Sequence, residues 1–379
     1  MSDQTYGVLL LSFSKYSHQA SFVPLYQSHP RVRLVAIADE PDIEPELKAL
    51  NQSWADKLDI PYIEGVDRAL ELKDVHIVSI GHEIERRAHL ALRAAAAGKH
   101  LWIDKFIGAN LDECDAVVAA VEEAGVYSII PSYVYGELAA QARTLIASGR
   151  LGALLGVHAD VMFGKGWPQP ISEGEREFLP PGRWKFAEIK RELLCVGAYG
   201  IGLVQDCLGR IAHVYGRAGA YFFNEHASLG ADDFGTLNLT DECGRVATVC
   251  GGRVGMAAHP HGGPARAYLI GAKASAAVDG KGPVLNTYIR EDIAGADYSL
   301  PPEDPMQWHH TAPAQAASLA PDSTGLWMGL EDLVAALDEH RQPAYTVREA
   351  RDHMEIIIAG YTSVVCGETV RLPLRRQAD

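Results

Sequence analysis

The chain reads as an α/β protein: a doubly wound parallel sheet comes first and a second α+β unit follows. Three observations lead there. Short, continuous apolar runs alternate with helix-patterned segments as far as residue 130. Beyond that point the apolar runs alternate with polar residues and are separated by glycine-bearing turns. The 379 residues exceed what one ordinary core holds, so two domains, 1–130 and 131–379, are expected.

Gly7-Val8-Leu9-Leu10-Leu11 suits a strand buried on both faces. The polar turn Ser12 to Ser17 leads into a helical segment carrying Phe22, Val23, Leu25 and Tyr26 in spite of Pro24, and Arg33 to Asp39 is a second strand ending in an acid. Strand, turn, helix, strand and acid is the order of a mononucleotide-binding unit. Such a turn carries three glycines, and the three positions here read Ser12, Ser14 and Ser17. Glycine at the second position admits a pyrophosphate to the backbone, whereas serine puts a side chain where phosphate oxygens lie. The hydroxyls of Ser12 and Ser14 with the Lys15 ammonium offer a side-chain cradle at the helix N-terminus instead, with Ser17 as the third small residue. The other reading is a turn that has lost its dinucleotide. Asp39 suits the ribose hydroxyls of NAD and disfavours the extra phosphate of NADP.

Trp54 to Leu58 is read as helix, Pro61 to Ile63 as a short strand, Val66 to Leu72 as helix, and Val75 to Ile80 as a buried strand leading into Gly81-His82-Glu83-Ile84. A helix from Glu85 to Ala97 closes at Gly98, the residue type that takes a left-handed cap most easily. Leu101 to Ile103 is then a strand ending in Asp104-Lys105. Charged residues leaving the carboxyl end of a parallel strand stand where such sheets bind ligands, although a surface ion pair is the plainer fate of such neighbours. Asn110 to Gly125 is an amphipathic helix, and Val126 to Ile130 the next strand. In the second half, Gly156 to Phe163 and Ile211 to Phe223 alternate as strands around a helix from Leu193 to Leu208. Thr236 to Leu239, Val246 to Cys250, Ala267 to Ile270 and Ala276 to Val278 continue a sheet of hairpins.

Composition narrows the partners. Lys and Arg number 34 against 49 Asp and Glu, and the net charge of -15 repels nucleic acid and anionic membranes, which leaves a small-molecule substrate. Six cysteines without a C-x-x-C pair imply reduced thiols and a cytoplasmic location. No run approaches the roughly 20 apolar residues of a membrane span. His259-Pro260-His261 and His309-His310 read as loop histidines facing solvent or substrate; with no carboxylate at a diagnostic offset, no metal is expected. Trp167, Trp184 and Trp308, in Pro- or Gly-rich surroundings, are candidates to wall a substrate pocket.

Ala97-Gly98-Lys99-His100 followed by Asp104-Lys105, after the Val78-Ser79-Ile80 strand, resembles the A-G-K-H-V and E-K-P pattern of the glucose-fructose oxidoreductase and inositol dehydrogenase (Gfo/Idh/MocA) family. Leu145 to Leu155 is similar to the L-I-x-x-G-x-I-G segment that opens the family's second domain. The tail Leu330 to Pro373, with Glu349-Ala350 and Val370-Arg371-Leu372-Pro373, is similar to its C-terminal helical segment. The resemblance implies a Rossmann domain followed by an α+β domain on a large, mostly antiparallel open sheet, and a homo-oligomer, dimer or tetramer. It also implies an NAD-dependent oxidoreductase acting on a sugar, cyclitol or related secondary alcohol or carbonyl. Lys105 matches the lysine that hydrogen-bonds the reacting hydroxyl and the nicotinamide ribose. Around it the pattern departs: Asp104 stands for glutamate, Phe106 for proline, and His82-Glu83-Ile84 for the T-P-N loop of the nicotinamide pocket. Ile189-Lys190-Arg191 replaces a glycine run, and Cys195-Val196-Gly197-Ala198-Tyr199 replaces D-x-G-x-H. His82 and Asp104 thus fall at cofactor-lining positions. Tyr199 falls where the family has its catalytic histidine, a phenol able to act as general base if Lys105 approaches it; a packed tyrosine is the plain alternative. Cys195 reads as a small buried hydrophobe. The joint loss of glycines and of the acid–histidine pair keeps open a redox-silent relative without cofactor, a partner subunit or binding protein; a cofactor-independent lyase or hydrolase is a more distant alternative.

Overall fold

The computed structural model describes residues 4–14, 17–82, 84–164, 171, 191–254, 265–280, 284–289 and 325–375. The chain divides into two compact units, Met1–Tyr135 with Ser323–Met354, and Gly136–Asp322 with Glu355–Asp379. The first unit contains β1 (Tyr6–Leu11), α1 (Gln19–Ser28), β2 (Val32–Asp39), α2 (Pro45–Leu58), β3 (Tyr62–Glu64), α3 (Val66–Leu70), β4 (Ile77–Ile80), α4 (Ile84–Ala96), β5 (His100–Ile103), α5 (Leu111–Ala124) and β6 (Ser128–Ile129). Its six strands are all parallel, in the order β3-β2-β1-β4-β5-β6. That is the doubly wound order, and it reverses between β1 and β4, where such sheets open a crevice at their carboxyl edge.

Helices on both faces require apolar strands throughout. Val8 to Leu11 and Leu101 to Ile103 accordingly have no solvent exposure. Trp102 on β5 takes Phe22 and Tyr26 of α1 edge-on, with ring centroids at 5.5 and 5.6 Å. The first residue of α1, the buried Gln19, lies so close to Gly81 that a Cβ there would meet its Oε1 at 2.3 Å. Glycine at 81 is what lets α1 approach the end of β4. The helix read from Trp54 starts earlier, at Pro45, which suits a first helical turn because its missing N–H has no partner to lose.

The second unit contains α6 (Glu137–Ala147), β7 (Leu154–Gly164), a π-helical turn at Leu193–Gly197 that continues as α7 (Ala198–Leu208), β8 (Ile211–Gly219), α8 (Asn224–Ser228), β9 (Phe234–Asp241), β10 (Val246–Val254), β11 (Ala265–Gly271), β12 (Ala274–Asp279) and β13 (Val284–Ile289). After α9 (Leu326–Glu339) and α10 (Val347–Cys366), β14 (Val370–Arg371) completes an eight-stranded sheet in the order β13-β12-β11-β7-β10-β9-β8-β14. Among the described residues only the β7–β10 pair is parallel, so the sheet is mixed and mostly antiparallel. The strand read from Ile211 to Phe223 stops at Gly219, because the Asp233 carboxylate draws the amides of Tyr221, Phe222 and Phe223 into a turn at 2.8 to 3.1 Å. A linear cut at residue 130 leaves 323–354 in the second domain, whereas these residues pack with the first unit. Gly329 of α9 lies over Pro131 and Trp102, and the Tyr345 carbonyl accepts the Ile130 amide at 3.1 Å, so the segment covers the β6 edge.

Where β10 meets the π-helical turn, two glycines face each other: a Cβ on Gly251 would stand 2.4 Å from the Gly197 Cα. Gly251→Ala is therefore expected to lower stability by about 1–3 kcal/mol through overpacking. The urea midpoint should fall at an unchanged slope; an unchanged midpoint would show that the turn gives way freely.

Candidate functional site at the carboxyl edge of the first sheet

The turn after β1 is built without glycine. Ser12 adopts a left-handed φ of 58° and is fully buried, with its Oγ accepting from Asn51 Nδ2 at 3.4 Å. The Phe13 amide donates to Asn51 Oδ1 at 2.8 Å, and the Phe13 ring stacks on Trp54 with centroids 4.6 Å apart. The Ser14 amide donates to Ser17 Oγ at 3.2 Å, which closes the start of α1 upon itself. Lys15 lies outside the described residues.

At the ends of β4 and β5 a second cluster forms. Arg87, on the first turns of α4, is almost completely buried. It donates to the carbonyls of His82 (2.5 Å), Phe106 (3.1 Å) and Lys105, and to Asp104 Oδ2 at 3.0 Å. His18, at the start of α1, approaches the same carboxylate at 2.9 Å. Burial alone would lift the Asp104 carboxyl, yet Arg87, His18 and Lys105 together hold it down to about 2. Asp104 Oδ1 accepts the Lys105 amide at 2.8 Å, so the backbone that presents the lysine is fixed from its own strand end, and the Lys105–Phe106 peptide is cis. Beside the Phe106 ring lies His353, fully buried, its Nδ1 on the Tyr345 hydroxyl at 2.8 Å and its ring stacked on Tyr133 at 4.3 Å. Burial, helped by the Lys105 ammonium, pushes this imidazole down to about 3, so it stays neutral.

The third cluster lies at the end of β2. Asp39 is buried; its Oδ1 accepts from Arg86 Nη2 at 2.5 Å and from the Glu40 amide at 2.8 Å, while its Oδ2 has no hydrogen-bond partner. Arg86 also binds Glu40 and the His82 ring. Glu40 is held further by His89 at 2.9 Å and Arg93 at 3.1 Å. Burial would raise the Glu40 carboxyl, but Arg86 and His89 bring it below its ordinary value. Against this network opens a cleft of about 450 Å³ whose walls include Glu40, Asp42, Ile43, Leu47, His82 and Arg86.

Seven of the residues singled out in the sequence, Ser12, Ser14, Ser17, Asp39, His82, Asp104 and Lys105, therefore stand at strand ends or in the turns that follow them within the first unit. Tyr199 belongs to the second unit, on the first turn of α7, with its ring edge-on to Phe163 at 6.2 Å. Glu83, the pairs at His259, His261, His309 and His310, and Trp167, Trp184 and Trp308 lie outside the described residues. Among the described residues no group of three or more His, Cys, Asp or Glu could hold a metal ion, and no helix is long and apolar enough to cross a membrane. None of the six cysteines forms a disulfide. Arg86, Arg87, His18, Asn51 and His353 did not stand out in the sequence. The one available signal was Arg86-Arg87 in the first turns of a helix, where cations oppose the macrodipole and call for carboxylate partners.

The fold and this edge define a dinucleotide-binding sheet joined to a separate mostly antiparallel unit. A family model described as an oxidoreductase family with an NAD-binding Rossmann fold matches residues 14–131, and the GFO/IDH/MocA C-terminal domain matches 139–277. The chain belongs to the Gfo/Idh/MocA family of oxidoreductases. It is 24% identical over 252 residues to the uncharacterized oxidoreductase YrbE of Bacillus subtilis (strain 168), covering 66% of this chain and 67% of that protein. It is 29% identical over 138 residues to 1-carboxy-3-chloro-3,4-dihydroxycyclo hexa-1,5-diene dehydrogenase of Comamonas testosteroni, a match spanning 36% of this chain and only 34% of that one. Levoglucosan dehydrogenase, solved in complex with NADH, shares the fold with a TM-score of 0.71 at 16% identity, covering 98% of this chain and 100% of that one.

The depressed Asp104 carboxyl makes stability depend on pH. Its folded value near 2 lies below the ordinary 3.8, so its contribution is complete above about pH 4 and disappears as pH falls through 2. Asp104→Asn is expected to cost on the order of 2 kcal/mol at pH 7 and to flatten the acid limb of stability between pH 4 and 2. Denaturant midpoints at several pH values check both.

Proposed function

We propose that this chain is an NAD-dependent oxidoreductase acting on a cyclic secondary alcohol or the corresponding carbonyl, of the sugar or cyclitol class. The observation that carries the reading is Asp39: a buried carboxylate at the end of β2, directly before the cleft-lining Glu40, with one oxygen left without a partner. A ribose hydroxyl supplies the missing donor. Ile43 and Leu47 give the cleft an apolar wall suited to a base. The nicotinamide, when bound, supplies the acceptor or donor of hydride. Lys105, presented at the end of β5 by the Asp104–Arg87 pair, donates a hydrogen bond to the reacting substrate oxygen, and Tyr199, at the position where the family has its catalytic histidine, is the candidate for moving the hydroxyl proton. His82 and Asp104 border the cofactor, and Ser12, Ser14 and Ser17 belong to the turn beneath its pyrophosphate. The substrate class agrees with what similar proteins are named for, a dihydroxycyclohexadiene in one case and levoglucosan in another.

A second reading has a specific observation behind it. The amides of Phe13 and Ser14, which a pyrophosphate would use, already donate to Asn51 and Ser17. A redox-silent relative would keep them so. Titration of the protein with NADH separates the two: the oxidoreductase reading requires a saturable change in nicotinamide fluorescence, with thermal stabilisation that grows with cofactor concentration. No response at millimolar NADH, with the protein folded, sinks it. Lys105→Met is expected to lower kcat/KM by about 10²–10⁴ on any cyclic polyol that the wild type turns over; unchanged turnover would remove the lysine from the mechanism.

The exposed face of the second sheet supports a homo-oligomer. Val246 pairs across Gly156 with Ile270, Tyr268 pairs with His158 beside them, and the three large side chains are 58%, 48% and 45% exposed respectively for Val246, Ile270 and Tyr268. A contiguous apolar patch on a sheet is the mark of a buried partner surface. Val246→Glu with Tyr268→Glu is expected to shift the sedimentation coefficient to that of a 41.1 kDa monomer; an unchanged oligomer would place the interface elsewhere.

A further inference from the structure

The network around Arg86 bears on which dinucleotide the cleft accepts, an inference that rests on the cofactor reading above. Four side chains on the cleft walls, Glu40, Asp42, Glu44 and Glu85, carry carboxylates, and one, Arg86, carries a guanidinium. A 2′-phosphate on the adenosine ribose needs a cation beside the β2 acid, and an arginine meets a phosphate best through two parallel N–H donors on one edge of its fork. Arg86 has that edge engaged already: Nε donates to Glu40 Oε2 at 3.0 Å, and Nη2 is shared between the same Glu40 oxygen and Asp39 Oδ1. The remaining Nη1 faces the His82 ring. Glu40 itself is anchored on its other oxygen by His89 and Arg93, and Arg93 is tied to Asp67 at 2.9 Å. The guanidinium is thus held from two sides by carboxylates, and one of them is part of a chain of ion pairs along α4.

We propose that Glu40 sets the cofactor choice: by occupying the fork edge of Arg86 it denies the guanidinium to a 2′-phosphate, and the cleft selects NAD over NADP. Asp39 contributes its unpartnered oxygen to the ribose, while Glu40, one residue later, acts on the arginine as a positioning residue. Glu40→Gln keeps the shape of the side chain but removes one negative charge and weakens the hold on Nε and Nη2, so the guanidinium becomes available to a phosphate.

The test is direct binding, read by nicotinamide fluorescence and by calorimetry, of NADH and NADPH to the full-length wild type, to Glu40→Gln and to Glu40→Gln combined with Arg86→Met. Circular dichroism confirms the fold of each. The wild type is expected to bind NADH at least about tenfold tighter than NADPH. Glu40→Gln should raise NADPH affinity by about tenfold while NADH affinity changes by less than about threefold, and the double variant should lose the gain. An unchanged ratio in Glu40→Gln, or a gain that survives the loss of Arg86, overturns the proposal while leaving the cofactor reading intact; a wild type that favours NADPH overturns the proposal and the choice of NAD together. A wild type that binds neither dinucleotide removes both.

Discussion

Arg87 makes its hydrogen bonds from a position with almost no solvent, to the carbonyls that follow β4 and β5 and to the carboxylate that ends β5. A charge placed there is costly unless every donor is used and a counter-charge lies beside it. Asp104 is that counter-charge, and the dependence runs both ways: without the guanidinium, burial would drive the carboxyl toward its neutral form. The pair ties the His82 turn to the Lys105 backbone, so the two loops nearest the sheet's reversal point move as one piece. The Lys105 backbone is therefore held at its amide by Asp104, at the end of its own strand, and at its carbonyl by Arg87, 18 positions away on a helix.

The lower edge of the second unit shows the same physics in a different arrangement. Asp232 and Asp233 are adjacent and fully buried, and each satisfies a different set of backbone donors. Asp232 caps the π-helical turn through the Leu193 amide at 2.7 Å and takes the Tyr361 hydroxyl at 3.0 Å, while Asp233 gathers the amides after β8. Burial raises both carboxyls, and the amides that they accept act against it. The turn that carries Cys195 toward Tyr199 is thereby held at its amino end by Asp232 and by the Tyr361 hydroxyl, which accepts the Leu194 amide at 3.1 Å.

The strands of the first sheet were legible because a strand covered on both faces must be apolar end to end, and Val8 to Leu11, Ile77 to Ile80 and Leu101 to Ile103 leave little room for another reading. Asp39 and Lys105 were legible because the carboxyl edge of such a sheet is the one place where a charge leaving an apolar run has a use. The partners were not. Arg86, Arg87 and Glu40 sit in helical or loop sequence where charge is ordinary, and only the register of β1, β2, β4 and β5 brings them together. His353 lies on α10, far along the chain, and the packing of Ser323–Met354 against the first unit has no local signature, since it depends on which sheet edge is left bare. The π-helical start of α7 was equally silent, because Asp232, which accepts its first amide, is 39 residues downstream of Leu193.

A glycine-rich turn carries few side chains and is held mainly through its backbone. Here the ring of Phe13 is embedded against Trp54 and its amide is bound to Asn51, both on α2. The turn has become a piece of the hydrophobic core, and its sequence is answerable to folding as well as to any ligand. Glycine at 12 would remove the hydroxyl that accepts from Asn51, whereas glycine at 14 would leave the Phe13 side chain and its hold on α2 in place. The course of the backbone here is tied to α2, so ligand recognition at this edge is adjusted most readily through the charged side chains around it.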